Sequence, residues 1–113
     1  MWVYILTNES MRPFYVGVAR SLVRRVWEHK NGIKCDYTTR YNLHKLVYYE
    51  RWHNPRAAIA REKQLKGITR LKKIQLVVSM NPTWKDLSEG WYDHIPTAFR
   101  APAEPVDPSL RSG

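Results

Sequence analysis

The chain opens with two short apolar segments, WVYIL at residues 2–6 and FYVG at residues 14–17, and continues with the basic segment SLVRR at residues 21–25. The first two segments are rich in β-branched and aromatic residues, which favour strands. The residues between them include Asn, Ser and Pro, which favour a turn. The serine that begins the third segment is a good helix N-cap, and Asn31-Gly32 is a helix stop. We therefore predict an antiparallel hairpin followed at once by a helix of about ten residues.

Residues 33–42 are polar and irregular, and three more elements are predicted beyond them. Residues 46–52 are aromatic and β-branched, so they predict a third strand. Asn54-Pro55 is typical of the start of a helix, and Thr69 caps a further helix that stops at Asn81-Pro82. The order β-β-α-β-α-α predicts an α+β fold in which a small three-stranded antiparallel sheet is flanked by helices.

The composition changes near residue 93. At 113 residues the chain has the size of one domain, and four of its seven prolines lie between residues 96 and 108, among Ala, Glu and Asp. Such a segment cannot bury enough apolar surface to fold. We therefore predict one folded domain over residues 1–92 and a Pro-rich, flexible C-terminal tail over residues 93–113.

The net charge of +9 is unevenly distributed. Residues 1–80 hold sixteen Lys and Arg against five Asp and Glu, whereas residues 81–113 hold three against five. A basic domain favours a polyanionic partner, most simply nucleic acid, and we expect DNA rather than RNA. Basicity that serves solubility alone is the alternative.

Cys35 is the single cysteine, so neither an intrachain disulfide nor a thiolate metal cage can form. This usage is typical of a reducing, intracellular compartment. The apolar run at the N-terminus is too short for a signal peptide or a membrane span. We therefore expect a cytoplasmic protein with no membrane partner, present as a monomer or weak homodimer.

Glu62 is the most informative acidic residue. On the predicted helix it shares a face with Ala58, Ile59 and Leu65, which should pack against the sheet. Burying a carboxylate there is costly unless it is paired, hydrogen-bonded or bound to a cation. One carboxylate together with water and phosphate oxygens is an ordinary magnesium site. A salt bridge to an arginine at the edge of the core is the alternative.

Two tyrosines, an arginine and a histidine are further candidates. Arg25 can project from the edge of the apolar face of its helix and neutralise charge in a transition state. His29 lies one turn later, where a histidine favoured by the helix dipole is the alternative. Tyr4 and Tyr15 on strands are usually core residues or cross-strand pairs. They could help to activate water only if both hydroxyls emerge near Arg25.

Phosphate contacts are predicted from basic side chains and one strand glycine. A solvated charged face is the alternative for the basic residues, and a simple strand bend is the alternative for the glycine. If Tyr37 and Tyr41 are exposed, they could stack on bases. The predicted nucleic-acid-binding residues are Gly17, Arg20, Arg24, Lys63, Lys66, Arg70, Lys72 and Lys73.

Taken in order, Tyr4, Tyr15-Val16-Gly17, Arg25 and Glu62 resemble a GIY-YIG endonuclease domain, in particular its small stand-alone members. The resemblance covers residues 1–92 and excludes the tail. The first motif reads WVY at residues 2–4, so the glycine of the family name is absent.

The resemblance implies a role for each matched residue. Tyr4 would act as, or assist, the general base, and Tyr15 would position water or the scissile phosphate. Arg25 would stabilise transition-state charge, with His29 in support. Glu62 would bind the single metal ion, Mg²⁺ or Mn²⁺.

The function implied is a divalent-metal-dependent endonuclease that hydrolyses phosphodiester bonds in DNA. Structured or single-stranded DNA, as in repair or recombination, is the expected substrate. A non-catalytic nucleic-acid-binding module on the same scaffold is the alternative, and a protein-interaction role of the Pro-rich tail is a third hypothesis.

Overall fold

The computed structural model describes residues 1–33, 36–93 and 104–105. The strands are β1 (Trp2–Thr7), β2 (Tyr15–Ala19) and β3 (Lys45–Arg51). The helices are α1 (Leu22–Lys30), α2 (Asp36–Arg40), α3 (Pro55–Gly67) and α4 (Arg70–Met80). The strands form one antiparallel sheet in the order β2-β1-β3. This is the predicted α+β fold with its three-stranded sheet.

Helix α2 is an addition to the predicted order β-β-α-β-α-α. Its five residues, DYTTR, lie in the segment predicted to be irregular. A single polar turn of helix is too short to show an apolar period of 3.6 residues, so the sequence pattern did not reveal it. The helix buries Thr38 and leaves Tyr37 at the surface.

Strand β1 lies at the centre of the sheet, and all six of its residues are buried. Because side chains alternate along a strand, β1 contributes to two layers. Val3 and Ile5 pack in the layer that contains Ala58 of α3. Tyr4 packs on the opposite layer with Val26 of α1. The sheet is therefore covered on both faces, which explains why WVYIL is apolar throughout.

The three long helices begin where their capping residues predict. Ser21 accepts a hydrogen bond from the backbone N–H of Arg24. The side chains of Asn54 and Thr69 act in the same way at the starts of α3 and α4. These bonds satisfy backbone donors that a helix cannot satisfy itself. The longest helix of the described residues has 13 residues, and none of these helices could cross a lipid bilayer.

The segment after α4 packs back onto the sheet. Leu87 and Trp91 contact the layer that contains Tyr4, and the backbone N–H of Leu87 donates to the carbonyl of Leu46. Trp84 stacks on Phe14 with ring centroids 6.0 Å apart. The predicted Pro-rich tail, residues 93–113, lies outside the described residues except for residues 93, 104 and 105.

A fully buried carboxylate joins β3 to α3. Glu50 Oε1 accepts from Arg61 Nε at 2.8 Å and from Trp52 Nε1 at 2.8 Å, and the hydroxyl of Tyr48 donates to Oε2 at 2.5 Å. The Glu50 side chain is 1% exposed. Burial of a charge is tolerated when it is paired and its lone pairs are occupied. Arg61 is thereby drawn away from the solvent face of α3 and into a structural contact.

Removal of this carboxylate should destabilise the fold strongly. We expect Glu50→Ala to lower the free energy of unfolding by about 3 kcal/mol or more, because it removes the counter-charge of Arg61 and the acceptor of two further hydrogen bonds. Urea denaturation followed by tryptophan fluorescence measures this loss. The matched control is Glu62→Ala, whose ion pair with Lys66 lies near the surface and should contribute under about 1 kcal/mol. Equal effects of the two substitutions would contradict the structural role of Glu50.

Candidate active site

A buried chain of hydrogen bonds connects β1, α1 and α2. The hydroxyl of Tyr4 lies 2.9 Å from Nε2 of His29, and Nδ1 of His29 lies 3.0 Å from Oγ1 of Thr38. Tyr4 and Thr38 have no exposed surface, and His29 is 2% exposed. Burial, aided by the positive charge of Arg25, lowers the pKa of His29 to about 4. The imidazole is therefore neutral at pH 7, with one ring nitrogen that can accept a hydrogen bond.

The guanidinium of Arg25 lies against this chain. Burial acts to lower the pKa of Arg25, but Tyr4, Glu28 and Tyr15 around it outweigh burial and raise the pKa. Nη1 of Arg25 lies 3.4 Å from Oε1 of Glu28, a carboxylate that is itself buried. Arg25 thus stays positively charged beside the phenol oxygen of Tyr4.

One donor of Arg25 remains unused. Its Nε is buried and has no hydrogen-bond partner within the described chain. A buried donor without an acceptor costs free energy. Arg25 is therefore ready to receive an oxygen acceptor, such as a phosphate oxygen, at little further desolvation cost.

Gly17 makes room for Tyr4. The two residues face each other across β1 and β2. A Cβ added to Gly17 would lie 2.9 Å from the Tyr15 ring and closer still to the hydroxyl end of Tyr4. Either distance is too short for a real contact, so any larger residue would displace the phenol. The structure thus gives Gly17 a packing reason, while its predicted contact with nucleic acid stays a prediction.

The site meets solvent through Tyr15 and Arg25, because Tyr4 is enclosed. The Tyr15 ring is half-buried and lies 5.1 Å from His29 and 6.3 Å from Tyr4, centroid to centroid. The side chain of Arg25 is 36% exposed. It opens into a groove of 240 Å³ lined by Ala19, Arg20, Ser21, Arg24, Arg25 and Glu28. A larger cavity of 450 Å³ elsewhere is lined by Lys30, His44 and Asp86 among others, and contains none of the predicted catalytic residues.

Glu62 is held by the other layer. Helix α3 packs on β1 and on β2, the edge strand that carries Tyr15, from the face opposite Tyr4. The Glu62 side chain is 16% exposed, and Oε2 lies 3.3 Å from Nζ of Lys66, an exposed residue one turn later. The contacts above join Tyr4, Tyr15, Arg25 and His29 directly, whereas Glu62 lies on the helix that covers the opposite face of the sheet.

Glu62 has the chemistry that a magnesium or manganese ion requires. Its carboxylate is a hard oxygen donor, and its pairing with an exposed lysine is easily exchanged for another cation. Two other carboxylates are less available to a metal ion, because they form closer ion pairs. Glu50 pairs with Arg61, and Asp86 pairs with Lys30 at 2.6 Å. The described residues contain no cluster of three or more His, Cys, Asp or Glu suited to a metal. A site built on Glu62 would thus need water or substrate oxygens as its remaining ligands.

The predicted nucleic-acid-binding side chains fall into different environments. Arg20 and Arg24 line the groove beside Arg25. Lys63 and Lys72 are exposed and Lys73 is half-buried, whereas Lys66 pairs with Glu62. Arg70 donates to the backbone carbonyls of Met11 and Arg12 and lies over the ring of Phe14, 4.6 Å from its centroid. Packing of the hairpin loop accounts for the position of Arg70, and the phosphate contacts of the whole set stay predictions.

Sequence reasoning missed two contributors to the site. Thr38 positions His29 from a helix that was not predicted. Glu28 pairs with both Arg24 and Arg25. The spacing of Glu28 from these arginines, four and three residues, was a usable signal because such pairs share a helix face. Nothing local in the sequence linked Thr38 to His29.

Comparison with known proteins identifies the family of this chain. The model of the GIY-YIG catalytic domain matches residues 1–75. The chain belongs to the GIY-YIG family. GIY-YIG proteins are nucleases that act on nucleic acid and generally depend on a divalent metal. The arrangement of Tyr4, Tyr15 and Arg25 thus lies in a nuclease scaffold.

The curated relatives are small proteins of the same GIY-YIG family. A UPF0213 protein of Clostridium perfringens is 40% identical over 78 residues, which cover 69% of this chain and 83% of the relative. A UPF0213 protein of Natronomonas pharaonis is 36% identical and covers 67% and 88%. One from Staphylococcus saprophyticus is 33% identical and covers 67% and 92%. No solved structure matches this chain.

The buried histidine of this GIY-YIG site predicts sensitivity to acid. The pKa of His29 is about 4 in the folded protein against 6.5 ordinarily, so between these values the unfolded chain binds more protons. Stability should therefore fall as the pH drops from 6.5 towards 4. His44, whose pKa is lowered by burial and by Lys30, adds to the same trend. We expect His29→Gln to flatten the fall in the urea midpoint between pH 7 and pH 5.

The control for this experiment is His53→Gln, which alters an exposed histidine and should leave the pH profile unchanged. The slope of the profile is compared, not the absolute stability, because His29→Gln also removes hydrogen bonds. A His29→Gln profile as steep as that of the wild type would show that the buried imidazole is not the acid-sensitive group.

Proposed function

We propose that this protein is a divalent-metal-dependent endonuclease that hydrolyses phosphodiester bonds in DNA that contains unpaired bases. The observation that carries the proposal is the buried chain from Tyr4 through the neutral His29 to Thr38, with Arg25 against the Tyr4 hydroxyl. A phenol between a neutral imidazole and a cation is poorly explained by packing alone. It suits a reaction that must move a proton and neutralise negative charge.

The proposed proton path begins at Tyr4. The positive charge of Arg25 beside the hydroxyl favours loss of the phenol proton to solvent. The phenolate then takes a proton from an attacking water, while the neutral His29, positioned by Thr38, holds the Tyr4 oxygen in place. Since Tyr4 is enclosed, substrate binding must shift Tyr15 or Arg25 for water to reach it. Tyr4 thus assists the general base role, with His29 in support.

Arg25 supplies charge at the phosphorus. It reaches solvent, it is held positive by its neighbours, and its Nε has no acceptor among the residues that the structure describes. A phosphate oxygen placed there would take up that donor. Negative charge grows on the phosphoryl oxygens as water attacks, so the interaction strengthens towards the transition state. Tyr15, at the mouth of the site, positions the phosphate or the water.

Glu62 is the residue proposed to hold the metal. A bound Mg²⁺ or Mn²⁺ would supply positive charge to stabilise the leaving oxygen. The chain contributes a carboxylate on α3, the helix that packs against the strand that carries Tyr15. Its present partner, Lys66, is exposed and can turn away without disturbing the core.

A row of three tyrosine rings supports the proposal that the substrate contains unpaired bases. The Tyr15 and Tyr37 ring centroids lie 6.3 Å apart, and those of Tyr37 and Tyr41 lie 4.9 Å apart. Tyr37 is 45% exposed and Tyr41 is 44% exposed. Such rings can stack on bases that are not already stacked in a duplex. Regions of this kind arise at branches and gaps during repair and recombination.

Loss of either key charge should slow cleavage severely. With Mg²⁺ or Mn²⁺ present, we expect Arg25→Ala to lower the rate of cutting of single-stranded or branched DNA by about 10²- to 10³-fold, because the transition state loses its charged donor. Glu62→Ala should cut no faster than the metal-free wild type. Gel analysis of single-stranded, nicked, branched and duplex substrates measures these rates.

The control for charge is Lys85→Ala, which removes one exposed positive charge away from the site and should cut normally. The non-catalytic binding module makes the opposite prediction: no metal-dependent cutting by the wild type, and salt-sensitive DNA binding that survives Glu62→Ala. Equal cutting by Glu62→Ala and wild type would identify the activity as a contaminant and end the proposal.

The aromatic row should set the preference for unpaired bases. We expect Tyr37→Ala to weaken binding of single-stranded DNA by about tenfold, because one base loses its stacking partner, and to affect duplex DNA little. Tyr37→Phe keeps the ring and is the matched control. Fluorescence anisotropy with labelled oligonucleotides in EDTA measures both. An equal loss on single-stranded and duplex DNA would contradict base stacking.

A further inference from the structure

The N-terminus of α1 holds a carboxylate that comes from the far end of the chain. Oε1 of Glu104 accepts from the backbone N–H of Leu22 at 2.5 Å, and both of its oxygens lie 3.3 Å from the backbone N of Val23. Its Oε2 also accepts from the hydroxyl of Ser21 at 3.1 Å. The two segments are more than 80 residues apart in sequence. This contact therefore owes nothing to local chain geometry.

The helix start needs no distant acid for its local cap. The side chain of Ser21 already accepts from the N–H of Arg24, and the first turn of α1 contains no acidic residue. The N–H groups of Leu22 and Val23 remain, and they point at an anion with the positive end of the helix dipole behind them. An anion is bound at this helix start, and the chain itself supplies it.

The surroundings favour a phosphate over a carboxylate. Ser21 lines the same groove as Arg20, Arg24 and Arg25, the proposed catalytic arginine. Arg20 and Arg24 are exposed and contribute positive charge to the lining of the groove. Backbone N–H groups at a helix start, with arginines beside them, are a common arrangement for binding phosphate.

We propose that the start of α1 is a binding site for a backbone phosphate of the nucleic acid, and that Glu104 occupies it in the free protein as a phosphate mimic. The inference rests on the proposed function for its ligand and goes beyond it by adding a competitor. Nucleic acid must displace Glu104 to bind the groove fully. The chain thus weakens its own affinity for substrate.

Neutralising the competitor should strengthen binding. We expect Glu104→Gln to bind a labelled single-stranded oligothymidylate about two- to fivefold more tightly than the wild type, because the helix start loses its bound charge. Anisotropy is measured on the full chain in EDTA, so the result does not depend on cleavage. Glu89→Gln is the matched control, since it removes the same charge from an exposed residue.

A second measurement locates the effect. In ¹H–¹⁵N spectra, adding the oligonucleotide should shift the amide signals of Leu22 and Val23, and the shift should saturate at lower concentration in Glu104→Gln. Equal affinity of the Glu104→Gln and Glu89→Gln variants for the oligonucleotide would overturn the inference. So would a lower melting temperature of Glu104→Gln with unchanged affinity, which would make Glu104 a structural cap only.

The outcomes separate this inference from the proposed function. Tighter binding by Glu104→Gln without cleavage by any variant would support the phosphate site and sink the endonuclease. Metal-dependent cutting with no difference between Glu104→Gln and Glu89→Gln would support the endonuclease and sink the phosphate site. Absence of DNA binding by every variant at low salt would overturn both.

Discussion

The hydroxyl of Tyr4, held between His29 and Arg25, is the contact on which the site depends. It exists because Tyr4 occupies the central strand and its cross-strand neighbour is a glycine. The hydroxyl can reach α1 only because Gly17 leaves the space. Once the phenol is in place, it pairs with a buried histidine that is neutral at pH 7 and lies against an arginine that stays charged. One strand register therefore sets the chemistry of three residues.

The acidic residues of this basic chain have distinct tasks. Glu50 is buried completely and ties β3 to α3 through Arg61. Glu28 is buried beside Arg25 and helps to hold that arginine in place. Glu62 is half-buried and paired with an exposed lysine, so its carboxylate is more readily available to a cation than those of Glu50 and Glu28. The degree of burial and the strength of the partner distinguish a structural acid from one that can serve a metal.

The two faces of the sheet also differ in role, one structural and the other carrying the candidate site. Helices α3 and α4 cover one face with an apolar layer that contains Val3 and Ile5. The other face carries Tyr4 and α1, and its edge holds the groove of arginines. In this arrangement Glu104 brings a negative charge to the start of α1, beside that groove. Under our proposal, affinity for nucleic acid is then a balance between the basic surface and the acid that the chain supplies.

The sequence by itself determined the strands, the three capped helices and the family motif. These depend on local rules: β-branched and aromatic runs form strands, and Ser21, Asn54 and Thr69 satisfy the N–H groups nearest to them. Through the family resemblance it also indicated Tyr4, Tyr15, Arg25 and His29 as candidate site residues, but it left open whether the two hydroxyls emerge near Arg25. Helix α2 was not predicted because a single polar turn carries no periodic signal.

Tertiary structure alone decided which groups are enclosed and what each one pairs with. Thr38 positions His29, Arg61 turns to Glu50, and Arg70 binds a hairpin loop, although nothing next to these residues in sequence announces their partners. The same holds for Glu104 at the start of α1. Pairing between distant residues depends on the packing of whole layers, and the cost of burying a charge then selects the partner. Such choices are made by three-dimensional proximity, which a linear pattern does not contain.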